Sequence, residues 1–379
     1  MVYDSTRHMN IKIESWSSDK AIETAHAIFD YVCAGQQDNG LWLADKNEES
    51  SFEFNKSLYF GAAGTVWGLN ELSQLLSRPL AFDVNDISKY IYEQYLLHPD
   101  TNSVCPSYLL GETGILQLCH KFDPIFIEKL RACIKTNIRN PVNEALWGCP
   151  GTMLVALRLG EFALFKQSAD YLFEQWFQET DGVWIWRQDL YGKVSKYLGA
   201  GHGFYGNVYS LLEGFNCLDK IQQKQLIERT IETTIRTAVR ENGLANWRPT
   251  FDSSENQKLL MQWCHGAPGV ITSLKSFPKN ESVELEKILL EAGEAIWTSG
   301  PLSKGVSICH GTDGNGFALL RLYQRTQDSK WLERARQFAM HAIHQRNGRF
   351  TLWTGEVGLA LFLLACVNEQ ADFPTLDYF

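Results

Sequence analysis

Pairs of glycines three positions apart recur seven times along the 379-residue chain, each directly before an apolar stretch. The copies lie at residues 61–64, 111–114, 148–151, 203–206, 266–269, 311–314 and 355–358. Successive copies are separated by 37 residues (from 111 to 148) to 63 residues (from 203 to 266). A fixed motif at such distances is typical of repeat architectures, in which each unit is one supersecondary element. The chain must therefore fold from seven similar units.

Each unit is predicted to be a pair of helices. Apolar residues follow every glycine motif at helical spacing, as Val66 and Leu69 do after the first copy. A second, amphipathic helix lies between the motifs, with Ile22 and Ile28 on the apolar face of the first one. Apolar helices are buried all round, whereas amphipathic helices show one face to water. The pattern predicts an all-α fold, an (α/α) toroid of 14 helices with apolar helices inside. Strand signals are sparse, and residues 182–187 are the clearest candidate for a hairpin.

The glycine motifs also predict where a functional site lies. Glycine permits a sharp turn into each inner helix, and helix N-termini carry free N–H groups and positive partial charge. Seven such loops at one mouth of the toroid would line a shared cavity. Residues far apart in sequence then converge there, within a single domain formed by residues 1–379.

Composition excludes several classes of partner. The formal net charge is −9 and Lys and Arg form no cluster, which argues against nucleic acid and anionic membranes. The longest strongly apolar stretch, 358–367, has only 10 residues, fewer than a membrane span needs. The nine cysteines are scattered and odd in number, unlike a disulfide framework. With no signal segment at the first residues, a cytoplasmic protein is expected.

Three of the seven loops carry residues suited to chemistry. Cys264-His265 and Cys309-His310 precede the fifth and sixth motifs, and His202 precedes the fourth. Two thiolates and one imidazole form a catalytic zinc site that leaves a coordination position open. From the residues alone, either His265 or His310 is the third ligand. His202, with no cysteine beside it, is interpreted as an acid/base.

These residues resemble the signature of the LanC-like proteins, relatives of the lanthionine cyclases. The resemblance rests on Trp-Cys-His-Gly-Ala-Pro-Gly at 263–269, Cys-His-Gly at 309–311 and His-Gly-x-x-Gly at 202–206. It implies zinc bound by Cys264, Cys309 and His310, and His202 as the acid/base. His265 and Leu260, where cyclases usually have Tyr and Arg, are similar to the stand-alone LanC-like branch rather than to the peptide cyclases.

Three further residues carry over from the same resemblance. Lys304, five positions before Cys309, matches a functional lysine of the stand-alone branch, and Glu144 matches an acidic residue before the third motif. The branch also uses an N-terminal arginine, for which Arg7 is the candidate. Lys304 would hold a glutathione carboxylate or stabilise an enolate. Glu144 would orient a histidine or the glutathione ammonium, against the alternative of a solvated carboxylate at a helix start.

The resemblance implies that glutathione, or another thiol, is added to dehydroalanine or dehydrobutyrine in proteins or peptides. Zinc would deprotonate the thiol, the thiolate would attack the β-carbon, and His202 would protonate the α-carbon. One alternative is a lanthionine-forming cyclase that uses a cysteine of the same peptide. A glycoside hydrolase would need two facing carboxylates, which the loops lack. A non-catalytic zinc-containing module that binds glutathione or peptide is the third, and His265 as a fourth ligand would favour it.

Overall fold

The computed structural model describes residues 2–46, 52–252 and 257–379, and these contain 14 α-helices that alternate between two roles. The amphipathic helices are α1 (Ser18–Ala34), α3 (Val84–Leu97), α5 (Ile127–Asn137), α7 (Phe162–Gln175), α9 (Lys220–Thr237), α11 (Val283–Ser299) and α13 (Ser329–Ile343). The apolar helices are α2 (Ala62–Leu75), α4 (Glu112–Phe122), α6 (Cys149–Arg158), α8 (Phe204–Glu213), α10 (Ala267–Ser273), α12 (Thr312–Thr326) and α14 (Glu356–Asn368). The predicted all-α fold of seven helix pairs is confirmed.

The apolar helices form a closed inner ring. Each contacts the next apolar helix along the chain, and α14 contacts α2, which completes the circle. The amphipathic helices pack outside: α1 buries Ala25, Ile28 and Val32 against α14 and leaves its other face to solvent. In α14 nearly every side chain is buried, as expected of a helix surrounded by others. No helix of the described ranges is both long enough and apolar enough to cross a membrane.

The first glycine of every motif is the N-cap of an inner helix, but a sharp turn of the backbone is not the general reason why glycine is needed there. Among these seven N-caps only Gly266 has a positive φ, of 113°. The shared reason is close approach of backbone. A Cβ on the second glycine of a motif would lie 2.0 to 2.4 Å from the carbonyl oxygen six residues earlier, as at Gly269 and Gly358. The absent side chain therefore lets each loop fold back onto the helix that it precedes.

Six short strands make three antiparallel hairpins within the described residues. The first pairs β1 (Phe177–Thr180) with β2 (Val183–Ile185), which confirms the hairpin predicted around residues 182–187. The others pair β3 (Gln188–Leu190) with β4 (Lys193–Ser195), and β5 (Ala238–Glu241) with β6 (Leu244–Trp247). All three leave the helical ring intact. That residues 1–379 form one domain stays a prediction.

The C-terminal segment, residues 369–379, packs against the C-terminal ends of inner helices, and its Phe373 reaches the fifth motif loop. Arg158 at the end of α6 donates to the carbonyl oxygens of Thr375 and Leu376 at 2.8 and 2.6 Å. The Asp377 carboxylate lies 2.6 Å from both Lys275 Nζ, just after α10, and an Arg321 guanidinium nitrogen on α12. The Phe373 ring stacks on Trp263 at 5.5 Å. The segment thus fills the centre of the ring from the end opposite the loops.

Candidate metal centre and thiol-binding site

Backbone hydrogen bonds link successive motif loops around the mouth of the toroid. The amide of Cys264 donates to the carbonyl of Cys309 at 3.2 Å, and the amide of Cys309 donates to Trp353 at 3.2 Å. On the other side, the amide of Gly201 lies 3.4 Å from the Cys264 carbonyl. The fourth to seventh loops are therefore held in register. This register brings residues of separate repeats to one place.

The two predicted zinc cysteines meet side by side. Both are buried, and the Cys309 thiol donates a hydrogen bond to the Cys264 sulfur. That bond lowers the pKa of Cys264 to about 7, against burial, which raises it. Burial raises the pKa of Cys309 well above its usual value, and the neighbouring Cys264 adds to this. One sulfur of the pair can thus become a thiolate near neutral pH while the other keeps its proton.

The two histidines that follow these cysteines point to different surroundings. His310 lines the same cavity as the thiols, and burial, with the charges of Lys304, Arg349 and Arg7, lowers its pKa to about 3. It is therefore neutral, the form that binds a metal. His265 lines this cavity too, but its ring stacks against His202 at 5.6 Å, and burial lowers its pKa to about 3 as well.

The partly exposed His202 and the buried Glu144 form a pair across two repeats. His202 Nδ1 lies 3.1 Å from Glu144 Oε2, and the Glu144 side chain is fully buried. The same carboxylate accepts the backbone N–H groups of Leu146 and Trp147 at 3.2 and 2.6 Å. Glu144 is thus placed to orient a histidine, and the alternative of a solvated carboxylate at a helix start is wrong.

A cavity of about 260 Å³ joins these groups. The thiols, His202, His265 and His310 line it, together with the cationic side chains of Lys304 and Arg349. Arg7 reaches the site indirectly: it donates to Gln262 Oε1 at 3.2 Å, and Gln262 Nε2 donates to the Cys264 sulfur at 3.0 Å. All seven residues predicted from the sequence therefore lie in or next to one cavity.

Sequence reasoning missed three residues of this site. Arg349 enters the cavity from the turn before the seventh motif, and Tyr59, from the first loop, hydrogen-bonds to Cys309. Gln262 links Arg7 to Cys264. A signal did exist for Arg349, since it stands six residues before Gly355 much as Lys304 stands seven before Gly311. Tyr59 and Gln262 carry no pattern that distinguishes them.

The donor chemistry of this cavity fits zinc. Two sulfurs in contact and a neutral imidazole are soft and borderline ligands of the kind zinc prefers. Within the part of the chain that the structure describes, no three His, Cys, Asp or Glu side chains lie close enough together to hold a metal ion. The ligand set of Cys264, Cys309 and His310 therefore stays a prediction.

The closed ring of helix pairs, with cysteines and histidines on its motif loops, defines the class of protein. The lanthionine synthetase C-like family model matches residues 17–378, so the chain belongs to this family, as the sequence motifs predicted.

Proteins with similar sequences occur in an animal and in a plant. The chain is 30% identical over 223 residues to glutathione S-transferase LANCL1 of Danio rerio, a match that covers 56% of this chain and 49% of the relative. It is 31% identical over 151 residues to LanC-like protein GCL1 of Arabidopsis thaliana, covering 39% and 33%. The chain thus spans about half and a third of the lengths of these relatives.

A solved structure also matches along almost the whole chain, but weakly. It is that of a possible member of the GH105 family from Salmonella enterica subsp. enterica serovar Paratyphi A. The match covers 94% of this chain and 95% of the other, at 10% identity and a TM-score of 0.39. A likeness at that level supports no inference about this protein.

Proposed function

We propose that this protein adds the thiol of glutathione to dehydroalanine or dehydrobutyrine residues of a protein or peptide. The observation that carries the proposal is one cavity lined by two adjacent thiols, by a histidine that contacts a buried carboxylate, and by two cations. The name of the Danio rerio relative, a glutathione S-transferase, agrees with a thiol of this kind. The nine free cysteines agree with a reducing, cytoplasmic location.

Cys264, Cys309 and His310 would hold the zinc ion. When bound, zinc supplies a thiolate at neutral pH by lowering the pKa of a thiol that is otherwise near 8.5. Lys304 and Arg349 complement the two carboxylates of glutathione, and Arg7 adds a third positive charge nearby through Gln262. These residues bind the thiol substrate and fix its orientation in the cavity.

His202 delivers the proton that completes the addition. The new C–S bond forms at the β-carbon, and the electron pair of the alkene moves to the α-carbon and its carbonyl. Because Glu144 engages Nδ1, the proton passes from Nε2 of His202 to the α-carbon. The buried carboxylate also stabilises the protonated imidazole before transfer. The proton released by the thiol replaces the one that His202 donates, so no atom leaves overall and the product is a thioether.

The test uses purified protein, glutathione and a dehydroalanine peptide, with the adduct measured by mass spectrometry. We expect Cys309→Ala to lose both activity and zinc, measured by elemental analysis. Cys33→Ala, which removes a half-buried thiol of α1, should keep both. His202→Gln should keep zinc and lose about 100- to 10,000-fold in rate.

Each result has an opposite that would contradict a part of the proposal. Full activity of Cys309→Ala would refute a role of the thiol pair, and full activity of His202→Gln would refute the proton donor. A peptide with an internal cysteine that cyclises without glutathione, when no intermolecular adduct forms, would identify a cyclase instead. A protein that binds zinc but has no activity would favour the alternative of a non-catalytic binding module.

A further inference from the structure

A second cavity, of about 390 Å³, adjoins the first on the other side of His202. Four residues line both cavities, namely Tyr59, Phe60, Leu146 and His202. The first cavity is built mainly from the fifth, sixth and seventh loops. The second is built from the segments before the first three inner helices and from the tip of the β3–β4 hairpin. His202 therefore stands at the boundary between two chambers.

The walls of the two chambers differ in chemistry. The first carries Lys304 and Arg349, whereas neither Lys nor Arg is found among the described residues that line the second. Its one acidic residue, Asp100, is paired with Lys56 at 3.2 Å and accepts two backbone N–H groups at 2.6 Å. Asp100 thus holds the loop together and leaves the chamber without net charge.

Amides and aromatic rings supply the rest of the second wall. Asn102 is exposed and presents an amide that both donates and accepts hydrogen bonds, as a peptide backbone requires. Trp147 and Tyr191 pack edge to face, with centroids 6.4 Å apart, and the indole N–H donates to the Tyr191 hydroxyl at 3.2 Å. Such a pair forms an apolar corner of two ring faces against which an apolar side chain can pack.

Glu144 connects this wall to the proton donor. Its carboxylate accepts the backbone N–H of Trp147 at 2.6 Å and contacts His202 Nδ1 at 3.1 Å. The position of the aromatic wall and the orientation of the imidazole are thus fixed by one buried group. Trp147 and His202 therefore line the same chamber at positions linked by one carboxylate.

From these observations, we infer that the second chamber binds an extended, uncharged polypeptide segment that carries the dehydroamino residue. A large apolar side chain next to that residue lies against Trp147 and Tyr191, while Asn102 pairs with its backbone. Glutathione occupies the cationic chamber, so the two substrates approach from opposite sides of His202. The inference rests on the proposed function and adds the substrate class and its subsite.

The test separates the two substrates kinetically. Trp147→Ala and Tyr191→Asn remove the two rings, and Asn suits the positive φ of 55° at residue 191. Both should raise the KM for a dehydroalanine peptide with a flanking Leu by about 5- to 30-fold, and leave the KM for glutathione unchanged. Arg349→Gln should show the opposite pattern. Val194→Ala, on the same hairpin and 66% exposed, should match wild type.

A binding measurement keeps this inference distinct from the proposed function. A fluorescent peptide with alanine in place of dehydroalanine should bind wild type and lose about 5- to 30-fold in affinity with Trp147→Ala or Tyr191→Asn. Weakened binding together with no turnover by wild type would refute the proposed function but leave the subsite standing. Equal binding by all variants, or a rise in the glutathione KM alone, would overturn the subsite. Better binding when Asp replaces the flanking Leu would overturn it too.

Discussion

Replacing Asp377 with Asn should destabilise the protein strongly, because Asp377 neutralises two cations inside the ring. Its side chain is 3% exposed, and it lies 2.6 Å from Lys275 and 2.6 Å from Arg321, which are 14% and 9% exposed. It also accepts hydrogen bonds from Tyr209 and from the backbone N–H of Phe373, both at 2.6 Å. Asn keeps the shape but removes the charge.

The magnitude follows from the cations that are left behind. Removing one partner of a buried ion pair costs about 3–5 kcal/mol, because the remaining charge has lost its solvation. Here Arg321 loses its ion-pair partner, whereas Lys275 keeps Glu213 at 3.0 Å, and both cations retain some exposure, so we expect Asp377→Asn to lower the free energy of unfolding by about 3 kcal/mol. Asp38→Asn, at an exposed position, should change it by less than about 0.5 kcal/mol.

The pH dependence gives an independent check. Burial alone raises the pKa of Asp377, but the charges of Arg321 and Lys275 outweigh it, so the pKa lies below its usual value of 3.8. A carboxylate with a lowered pKa contributes stability above its unfolded pKa, and this is lost as the pH falls through the folded value. The stability difference between wild type and Asp377→Asn should therefore be constant above about pH 5 and shrink below pH 3.8.

Urea unfolding followed by tryptophan fluorescence measures both effects. The variants are compared at pH 7 and then along a series down to pH 3. A loss at pH 7 no larger than that of Asp38→Asn would refute the reasoning, since the two cations would then tolerate the loss of their partner. A difference that grows at low pH would show that the sign of the pKa shift is wrong.

Three further predictions concern the loops. Glu356→Ala should lower the free energy of unfolding by about 2–4 kcal/mol, because the buried carboxylate holds Arg346 at 2.7 Å and the Gly348 amide at 2.8 Å. Glu356→Gln should lower it less, because Gln keeps the bond to the Gly348 amide. The same Glu356→Ala change should raise the KM for glutathione, because the lost carboxylate holds the amide of Gly348, the residue directly before Arg349, at 2.8 Å; an unchanged KM would contradict this. Gly266→Ala should cost at least about 2 kcal/mol, since its Cβ would lie 2.0 Å from a carbonyl oxygen, whereas Gly160→Ala, with positive φ but open space, should cost about 1–2 kcal/mol. Thermal unfolding measures both glycine variants, and equal losses would contradict the close-approach argument.

The sequence alone determined the architecture and the position of the chemistry. Seven glycine pairs specify seven close approaches of loop and helix, and no other residue lacks the Cβ that would block them. Helical periodicity distinguishes inner from outer helices, because a buried helix must be apolar all round. Equivalent places in successive repeats must be neighbours in a ring, which is why the repeat pattern by itself pairs Cys264 with Cys309.

Only the tertiary structure decided which side chains meet across repeats. Glu144 reaches His202 from 58 residues away, Gln262 joins Arg7 to Cys264, and Arg349 enters the cavity from the last loop. No sequence spacing predicts these contacts, because each depends on the curvature of the ring and the depth of its loops. The C-terminal segment was likewise unpredictable, since its Asp377 finds cations on two inner helical units that only the closed ring brings together.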